Sequence, residues 1–530
     1  MIRDFRSADG RPDSVDCDLC IVGAGAAGIT LALQFVGTPL EIIVLESGGL
    51  EYDAEIQDLY IGQNVGRPYY DLDVARLRYF GGTTNHWQGW CLPLTDLDLA
   101  RKPWVPHSGW PIVRSELEPF YAAAHSVLEV GAPDLEVGDL GVELLALPAE
   151  HLAHRLYRRS PPTRFGERYR SDLERADNVE VWLHANATEV VSNEAASRVT
   201  ALHVAALDGK RARVRAAVFV LALGGIETPR LLLNSTGVAA AGLGNQRDLV
   251  GRFFMEHLEV FTGRILPATE GWTGAYHQIE RAAAGRGTTW PAIGLSPMAQ
   301  EREAVLNFAA SLTETFMARL QSEGYASLTR LKQDLLAQRL PGDLGGHLWN
   351  ILTDLTGVAR GLREGAVSTL GIFSRSEQAP NPESRVRLSA ERDALGLRRV
   401  ALDWRLSELD RRTSRVATEL IARELGRLGV ARVQIDAWLA AEDGGWTPDL
   451  LGGNHHIGTL RMADDPADGV VDRDAKVFGL DNLYIAGSAV FPTGGASPPT
   501  LTIVALTLRL AEHLAQQFEI GSLPLPRPEE

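Results

Sequence analysis

The feature that most restricts the fold of this chain is a glycine-rich turn near its N-terminus. Gly23, Gly25 and Gly28 lie in CDLCIVGAGAAGITLAL, between a strand-like apolar run and a helical pattern. The next apolar run, EIIVL, ends in Glu46. In this context the first glycine makes the turn, the second lets a pyrophosphate approach the helix N-terminus, and the third lets the helix pack on the strand. The spacing predicts a dinucleotide-binding unit in which Glu46 accepts both ribose hydroxyls and repels a 2′-phosphate.

Composition and charge narrow the class of protein. The chain has 530 residues, enough for two joined domains, and its 45% hydrophobic and 23% charged content is ordinary for a globular protein. A formal net charge of −16 gives no electrostatic basis for binding nucleic acid. The sequence shows no apolar leader and no uninterrupted apolar stretch of membrane-spanning length, so we expect a cytoplasmic protein without a membrane span.

Cys17 and Cys20 form a C-x-x-C pattern of the kind found at redox and metal sites. Both lie in the strand that precedes the glycine turn, and residues three apart on a strand face opposite sides of the sheet. The pattern therefore indicates two strand residues rather than a dithiol, and we expect no metal site.

Later patterns indicate how the chain is organised. Strand-like patterns from Val179 to Leu223 end in the turn GGIETPRLLLNS, which is typical of a second return to the same parallel sheet. The middle section contains a helical block from about Tyr325 to Arg363, strands in SRVRLSAERDALGLRRVALDW and a long helix. Glycine-rich turns, the strand NLYIAG and a closing helix follow Gly453. We therefore predict that the middle section is a domain inserted into the first one, with the helical block as either a lid or an oligomer surface.

Several motifs, in order along nearly the whole chain, resemble those of the glucose–methanol–choline (GMC) flavoprotein oxidoreductases. Besides the glycine turn they are RYFGGTTNHW, VLALGGIETPRLLLNS, GRFFMEH, NHHIGTLRM, NLYIAGSAVFPTGG and PPTLTIVALTLRLAEHL. The resemblance implies bound FAD and oxidation of an alcohol group, and RYFGGTTNHW is most similar to the pyranose-oxidase and sugar-dehydrogenase branch. It implies an α/β fold, α+β overall. A Rossmann-like FAD-binding domain is expected at residues 1–257 and 448–530, and a substrate-binding domain with an antiparallel sheet and helices at 258–447.

The motif RYFGGTTNHW contains candidate cofactor contacts. Gly81 and Gly82 permit close approach of the backbone, and Thr83 and Asn85 supply short polar groups for a phosphate or an isoalloxazine edge. His86 stands where the pyranose oxidases carry the flavin covalently through its 8-methyl group, whereas other relatives have the His-Trp pair without the bond. The resemblance therefore implies either a covalent link at His86 or a histidine packed at the flavin edge.

The resemblance assigns further cofactor contacts to three other places. Thr188 loosely matches a strand position that contacts adenine, and Gly487 and Ser488 match residues beside the flavin chain. Pro499 and Thr500 open the closing helix, where proline suits the first helical positions and free first-turn amides can face the flavin pyrimidine.

The candidate catalytic base is His455 in NHHIGTLRM. Oxidation of an alcohol requires the hydroxyl proton to leave to a base, and histidine suits this role near neutral pH. The family's base stands three residues before the glycine of its Gly-Thr pair, and counting back from Gly458 selects His455. The resemblance thus implies hydride transfer from the carbinol carbon to flavin N5, with His455 as base. His456 is either a second polar contact in the site or a loop residue, and the pair lacks the spacing of a zinc helix.

One position departs from the family pattern. The family places Asn or His one residue before its Pro-Thr pair as the partner of the catalytic histidine, and Pro498 occupies that position here. Ser497, if turned inward, and His456 are the candidate replacements; otherwise the chemistry depends on His455 alone. His257 in GRFFMEH is interpreted as a structural residue at the hinge into the inserted domain.

The residues leave several functional alternatives open. The substrate is predicted to be a sugar, glycoside or polyol-like alcohol, with steroid and aliphatic alcohols as alternatives. An FAD-containing lyase that uses the same site for acid–base chemistry, and a flavin-binding protein without activity, are also compatible with the motifs. The sequence does not decide between O₂, a quinone and a redox protein as electron acceptor, nor whether the chain forms a homo-oligomer.

Two groups of side chains have both a functional and a structural interpretation. Asp472 and Asp474 in VVDRDAKVFG resemble the paired acids of glycoside hydrolysis, but an Asx turn between strands explains them better. Four tryptophans are suited either to a sugar platform or to packing around a buried cofactor: Trp87, Trp90, Trp104 and Trp110.

Overall fold

A computed structural model of the chain describes residues 1–7, 13–131, 133, 136–269, 271–276, 279–280, 288–314, 322, 324–325, 327–328, 331–332, 344–364, 370–442 and 444–527. Its strands are, in chain order, β1 Ile2–Asp4, β2 Ser14–Val22, β3 Ile42–Leu45, β4 Gln63–Asn64, β5 Trp90–Cys91, β6 Leu152–Arg159, β7 Val179–Leu183, β8 Asn186–Ser192, β9 Val199–Ala205, β10 Arg211–Leu221, β11 Leu258–Pro267, β12 Ile279–Glu280, β13 Thr288–Leu295, β14 Phe308–Glu314, β15 Leu370–Ser376, β16 Arg385–Arg392, β17 Arg398–Asp403, β18 Ala431–Ile435, β19 Leu451–Gly452 and β20 Leu483–Ile485.

The α-helices follow in the same order: α1 Ala26–Gln34, α2 Ala54–Gln57, α3 Asp96–Leu99, α4 Arg114–Val127, α5 Phe165–Arg168, α6 Arg170–Arg175, α7 Gly224–Asn234, α8 Pro297–Glu303, α9 Leu344–Thr353, α10 Leu355–Glu364, α11 Glu408–Arg427, α12 Ala437–Ala440 and α13 Thr500–Gln517. Within the part of the chain that the structure describes, no helix is both long and apolar enough to cross a membrane.

The first sheet has the strand order β1-β7-β3-β2-β10-β9-β8, and β20 also pairs with β10. The pairs among β1, β7, β3, β2, β10 and β20 are parallel, and β9 and β8 extend the sheet with antiparallel pairs. β2 is central and buried from Leu19 to Val22, which explains the unbroken apolar run before the glycine turn. The predicted Rossmann-like α/β fold is confirmed.

The second sheet has nine strands in the order β18-β11-β15-β14-β13-β6-β5, with β12 and β19 on its flanks. All its pairs are antiparallel. Two of its strands, β5 and β6, come from residues that precede the segment predicted to form the substrate-binding domain. The ranges of the two domains stay a prediction. A third sheet combines the hairpin β16–β17 with β4.

Each of the two large sheets packs against its own hydrophobic core. α13 packs on α4 and α1 over the parallel sheet, and burying its apolar face places its N-terminus at the sheet's edge. Under the antiparallel sheet, Leu420 and Ile421 of α11 pack against Ile293 and Ile372. Such burial is worth roughly 1.5–3 kcal/mol for each large aliphatic side chain. The sheets are therefore stable supports for side chains that lie between them.

Several structural interpretations of the sequence can be compared with the fold. Cys17 and Cys20 lie in β2 as free thiols, and Cys20 is buried. Asp472 Oδ1 accepts the amides of Asp474 and Lys476 at 2.9 and 3.0 Å, which is an Asx turn. The predicted helical block contains α9 and α10, and much of it lies outside the described residues.

Candidate active site

A cavity of about 480 Å³ lies where the carboxyl ends of β2, β3 and β10 face the second sheet. Gly23, Glu46 and Ala222 each directly follow one of these strands, and all three line the cavity. The opposite wall includes Glu259 of β11 and Arg375 of β15. Ligands of open α/β sheets bind outside the carboxyl ends of the strands, so this cavity is the candidate active site.

Three helices, α1, α7 and α13, begin at the cavity, and the first residue of each lines it. The N-cap residues of these three helices make no side-chain hydrogen bond to the first turn: Gly25, Leu223 and Pro499. An uncapped first turn leaves amide donors for a ligand and carries partial positive charge. Three such ends around one cavity suit a ligand with anionic groups.

The three glycines of the first turn have different surroundings. A Cβ at Gly28 would stand 1.8 Å from Gly23 O, so α1 packs on the turn only because a side chain is absent. Gly23 has a φ of +102°, a conformation that favours glycine. A Cβ at Gly25 would meet no atom within 4 Å, and Gly25 lines the cavity. The open space at Gly25 is therefore on the ligand side, where a pyrophosphate would approach.

Glu46 lies at the end of β3 and lines the cavity. Its Oε2 accepts the amide of Ala24 at 2.9 Å, and its Oε1 accepts the amide of Gly48 at 3.0 Å. Burial raises the pKa of Glu46. The two amides fix the carboxylate as an acceptor at the position predicted for the ribose hydroxyls.

A buried cluster adds positive charge beside the cavity. Glu227 contacts Arg76, Arg78 and Arg230 at 3.0, 3.2 and 3.0 Å, and Arg230 also contacts Asp393 at 2.6 Å. Although burial opposes ionisation, the three arginines hold the pKa of Glu227 at about 2. Three cations against two anions leave one positive charge, and Arg78 lines the cavity. The cluster therefore suits an anionic ligand as well.

The loop RYFGGTTNHW packs on the first glycine turn. Gly81 donates its amide to Ala24 O at 2.8 Å, and a Cβ at Gly82 would stand 3.1 Å from Gly25 Cα. Gly82 lines the cavity and Gly81 does not. Gly81, with a φ of +95°, thus supports the turn, whereas Gly82 is in position to contact a ligand.

The polar residues of this loop also differ in whether they line the cavity. Thr83 and His86 line the cavity, but Asn85 does not, because its Nδ2 donates to Phe80 O at 2.9 Å. The interpretation of Asn85 as a direct cofactor contact is therefore not supported. Burial, together with Arg164, lowers the pKa of His86, so a neutral imidazole lines the cavity. Its covalent link to a flavin stays a prediction.

Thr188 does not line the cavity. Its hydroxyl donates to His203 O at 3.2 Å, whereas the adjacent Ala187 lines a small neighbouring cavity with Ser47 and Leu223. Successive residues of a strand face opposite sides of the sheet. The strand therefore reaches the site through Ala187, and the prediction of Thr188 as a cofactor contact is not supported.

The closing segment contributes Gly487, Ser488, Pro499 and Thr500, all of which line the cavity. Gly487 has a φ of +122° and open space where a Cβ would stand. Ser488 Oγ donates to His456 O at 2.7 Å. Pro499 is the N-cap of α13, so the helix begins one residue later than the proline pattern predicts. Contact of these residues with a cofactor stays a prediction.

The position of the missing catalytic partner is apolar. Pro498 lines the cavity and brings no polar side chain to it. Ser497 is turned away, with Oγ donating to Pro93 O at 3.2 Å. Ser497 therefore does not replace the partner.

His455 instead meets a second histidine, His257. His455 Nδ1 lies 2.9 Å from His257 Nδ1, and the rings meet edge to face at 82°. His257 Nε2 lies 2.9 Å from Gly495 O and 3.2 Å from Gly494 O. Carbonyl oxygens only accept hydrogen bonds, so Nε2 of His257 carries a hydrogen. Burial, followed by Arg375, lowers the pKa of His257 to about 4, so the ring is neutral and its Nδ1 is unprotonated.

This tautomer of His257 determines that of His455. An unprotonated Nδ1 on His257 accepts, so Nδ1 of His455 carries the shared hydrogen. Burial, then His257, Arg375 and His456, hold the pKa of His455 well below its usual value, so its Nε2 is unprotonated at neutral pH. His455 lines the cavity, and no described residue hydrogen-bonds to this Nε2. The cavity is therefore lined by a histidine with an unprotonated Nε2, and His257, expected from the sequence to be a hinge residue, is its hydrogen-bond partner.

Glu256 fixes the backbone around the pair. Its carboxylate accepts the amides of His455 and Gly453, both at 3.0 Å, the amide of His257 at 3.1 Å, and the hydroxyl of Tyr69. Burial raises the pKa of Glu256 to about 7. The residue joins the chain before β11 to the loop that carries His455.

His456 is engaged elsewhere. Its Nε2 lies 3.0 Å from Tyr69 Oη, and its ring stacks on Phe254. Burial, followed by Arg76, lowers the pKa of His456 to about 3. The ring lines the cavity, but Tyr69 occupies its Nε2, so the geometry does not support a catalytic role for His456.

Two of the four tryptophans reach the site. Trp87 and Trp90 line the cavity. Trp104 Nε1 donates to Val305 O at 2.9 Å, and Trp110 Nε1 donates to Thr493 Oγ1 at 2.8 Å. The latter two belong to the packing of the fold, so only Trp87 and Trp90 are in position to contact a substrate or cofactor.

Two charged residues on the far wall, Glu259 and Arg375, were not predicted from the sequence. A signal exists for the first: in EHLEV, His257 and Glu259 stand two apart at the start of a strand pattern and so share a face. The second has none, because its proximity depends on the pairing of β11 with β15.

Helix N-termini suited to phosphates and an unprotonated histidine share one cavity, an arrangement that fits a dinucleotide-dependent oxidoreductase. Two sequence models of GMC oxidoreductases match the chain, at residues 167–259 and 380–507. Both matched regions are GMC oxidoreductase sequence, so the chain is similar to a family whose members contain FAD and act on CH–OH groups.

Individual proteins are similar to this chain at low identity. Paromamine 6′-oxidase of Streptomyces fradiae is 25% identical, over 96% of this chain and 93% of that protein. The fructose dehydrogenase large subunit of Gluconobacter japonicus is 24% identical over 62% of this chain, and the match spans about half, 53%, of that relative. Among solved structures, a fungal aryl-alcohol oxidase has a TM-score of 0.56 at 13% identity, with 96% of this chain and 100% of that chain covered.

The residues present fit FAD. The open space at Gly25 and Gly487 is a cradle that side chains would fill, and both glycines border the cavity. The α1 N-terminus and Arg78 suit the pyrophosphate, and Glu46 suits the ribose. The α13 N-terminus at Thr500 suits the electron-rich pyrimidine of a reduced flavin.

Proposed function

We propose that this protein oxidises a sugar, glycoside or polyol-like alcohol, with His455 as the base. The observation that carries the proposal is that the neutral His455 lines the cavity with its Nδ1–H held by His257, which leaves its Nε2 unprotonated. The relatives named as oxidases or dehydrogenases favour oxidation over the lyase and over the inactive flavin-binding protein.

When bound, FAD supplies N5 as the acceptor of the hydride that leaves the carbinol carbon. The residues of this chain handle the proton: the substrate hydroxyl donates to His455 Nε2 and transfers its proton there as the carbonyl forms. His257 keeps the imidazole oriented and accepts from Nδ1–H throughout, so the ring does not rotate between steps. Glu256 holds the backbone amide of His455 in place.

The choice of substrate class rests on the relatives and on the cavity. Paromamine and fructose, in the names of two relatives, are polyhydroxylated molecules. The cavity wall facing His455 combines the charged residues Glu259 and Arg375 with Trp90. Charged and aromatic groups together bind sugars better than they bind a steroid, which has a largely apolar surface.

Replacing His455 by Ala tests the base. The variant is expected to retain FAD and to lose about 10²- to 10⁴-fold in the rate of anaerobic flavin bleaching by a panel of sugars and glycosides. The control is His456→Gln, since Tyr69 occupies that ring, and it is expected to keep most of the rate. Unchanged bleaching in His455→Ala would refute the role of His455, and an absence of bleaching by any alcohol would refute the oxidation itself.

The same measurement has an expected pH dependence. His455 acts when neutral, and its pKa lies well below 6.5, so the bleaching rate is expected to be level above pH 6.5 and to fall in acid. A fall that is centred above pH 6.5 and absent from His455→Ala would contradict the unprotonated state of His455 at neutral pH.

A further inference from the structure

An ion pair forms part of the cavity wall that belongs to the second sheet. Glu259 of β11 and Arg375 of β15 are direct partners across the two strands. Arg375 Nε lies 2.7 Å from Glu259 Oε1, and Arg375 Nη2 bonds to the same oxygen. The two side chains are 17% and 19% exposed, and both line the cavity.

The pair keeps hydrogen-bonding capacity for a ligand. Both donors that Arg375 directs at Glu259 go to Oε1, and no described residue hydrogen-bonds to Oε2. A guanidinium has five N–H donors; Arg375 directs two of them at Glu259 and also interacts with the Tyr157 side chain. One carboxylate oxygen and further guanidinium donors therefore remain for groups that enter the cavity.

The pair also lies close to His455. A Cβ at Gly453 would stand 2.7 Å from His455 Nδ1 and 3.4 Å from Glu259 Oε1, so these two atoms are no more than about 6 Å apart. The Nε2 of His455 lies across the same imidazole ring from Nδ1, so a molecule the size of a sugar is large enough to contact both Nε2 and the ion pair.

The charge of the pair determines which substituents fit. A lone arginine in this place would favour an anion, and a lone glutamate would favour a cation. Paired, they are neutral and offer an acceptor beside a donor. A hydroxyl both donates and accepts, so two hydroxyls on adjacent carbons match the pair, one donating to Glu259 Oε2 and the other accepting from Arg375.

We propose that Glu259 and Arg375 form a subsite for neutral polyols, which binds two hydroxyls on adjacent carbons beside the one that is oxidised. The proposal rests on the proposed function for the position of the reacting hydroxyl. It assigns substrate selection to a cross-strand pair of the second sheet.

Binding to the holoenzyme tests the subsite without turnover. With the flavin reduced by dithionite, anaerobic calorimetry measures the dissociation constants of 1,5-anhydro-D-glucitol, myo-inositol and cyclohexanol. At least one polyol is expected to bind more tightly than cyclohexanol. Glu259→Gln and Arg375→Met are each expected to weaken polyol binding by about tenfold or more and to leave cyclohexanol unchanged, because hydrogen bonds to charged groups are lost.

Charged probes test for an increase in affinity, a result that damage to the fold would not produce. Glu259→Gln leaves an uncompensated guanidinium and is expected to bind gluconate more tightly than the wild type does. Arg375→Met leaves an uncompensated carboxylate and is expected to gain affinity for glucosamine. Asp16→Asn is the matched control, since Asp16 and Arg215 are also a cross-strand ion pair, but on the exposed surface of the first sheet. If Arg375→Met does not fold, Arg375→Lys provides the same test, because it keeps the charge but loses the fork of donors.

Unchanged polyol binding in the folded variants would overturn the subsite, as would a wild type that prefers cyclohexanol, gluconate or glucosamine to both polyols. Failure of the proposed function gives a different result. Polyol binding that depends on the pair, without flavin bleaching by any alcohol, would contradict the oxidation and leave the subsite intact. Bleaching by alcohols with no effect of the pair would contradict the subsite alone.

Discussion

His257 determines, through one hydrogen bond, which ring nitrogen of His455 carries the hydrogen. Its Nε2–H is committed to Gly495 O at 2.9 Å, so its Nδ1 can only accept from His455. Without this acceptor the neutral His455 ring could carry its hydrogen on either nitrogen, and only one tautomer leaves Nε2 free for a proton. In the proposed mechanism His257 is thus a positioning residue that acts through His455.

Replacing His257 by Phe should lower the rate of flavin bleaching by about 10- to 100-fold, the usual loss when the hydrogen-bond partner that orients a functional histidine is removed. His257→Asn should keep most of the rate, since its amide oxygen can accept at the place of Nδ1. Both rates are measured by anaerobic stopped flow, with KM followed separately. Equal losses in the two variants, or a change confined to KM, would indicate a purely structural role.

The histidine pair shows what the sequence allows at the level of single residues. His455 follows from its spacing to Gly458 in NHHIGTLRM, a local pattern. Its partner stands 198 residues earlier in the chain, and nothing in GRFFMEH shows that the two rings meet. Local spacing identifies such a residue, but only the fold identifies its neighbours.

The helices that begin at the cavity show how whole elements contribute to the site. α1, α7 and α13 bring first-turn amides to one place without side-chain caps. A cap would satisfy those amides and stabilise the isolated helix by about 1 kcal/mol, but it would also compete with a ligand.

The glycine turn was predicted because strand, turn and helix are contiguous in the sequence. The structure places Thr188 away from the cavity, because a strand reaches a site through only some of its residues and the sequence alone did not specify which ones.

Two substitutions in the first glycine turn should separate binding from folding. Gly25→Ala adds a methyl group to open space on the cavity side, so the apoprotein should keep its thermal midpoint while the affinity for FAD falls about tenfold or more. Gly28→Ala forces a methyl group against Gly23 O and should destabilise the apoprotein by roughly 1–3 kcal/mol.

Differential scanning calorimetry of apoprotein and flavin titration check this pair of expectations. Each variant is the control for the other, because the same atoms are added three residues apart. A Gly25→Ala protein that binds FAD normally would place the pyrophosphate elsewhere.

The whole molecule depends on contacts that join distant parts of the chain at the site. Lys102 and Glu377 form an ion pair at 3.0 Å with both side chains fully buried. Glu377 also accepts the amides of Asn307 and Gly495, and Gly495 O in turn accepts from His257. One carboxylate thus ties four segments together directly behind the histidine pair. The sequence predicted the α/β class but not these contacts, because they join residues that lie far apart in the chain. β5 and β6 likewise join the second sheet from positions well before its other strands.

Lys102→Met should lower the free energy of unfolding by roughly 3–5 kcal/mol, because it leaves the Glu377 carboxylate buried without a partner. The double variant Lys102→Met/Glu377→Gln should recover part of that loss, since no charge is then left uncompensated. Denaturant unfolding of the holoenzyme measures both. Asp16→Asn, at a surface pair, is the control that should change little. A double variant that is less stable than Lys102→Met would show that the pair itself, and not the isolated charge, determines the stability.

The unprotonated Nε2 of His455 has a consequence for product release. An alcohol brings a hydrogen to this nitrogen, whereas the ketone or aldehyde formed from it brings only lone pairs. Once the imidazole has returned its proton to solvent, two acceptors face each other across the cavity and the product loses a hydrogen bond that the substrate had. Oxidation thus removes the hydrogen by which the molecule was held, and the product leaves a site that still fits its shape.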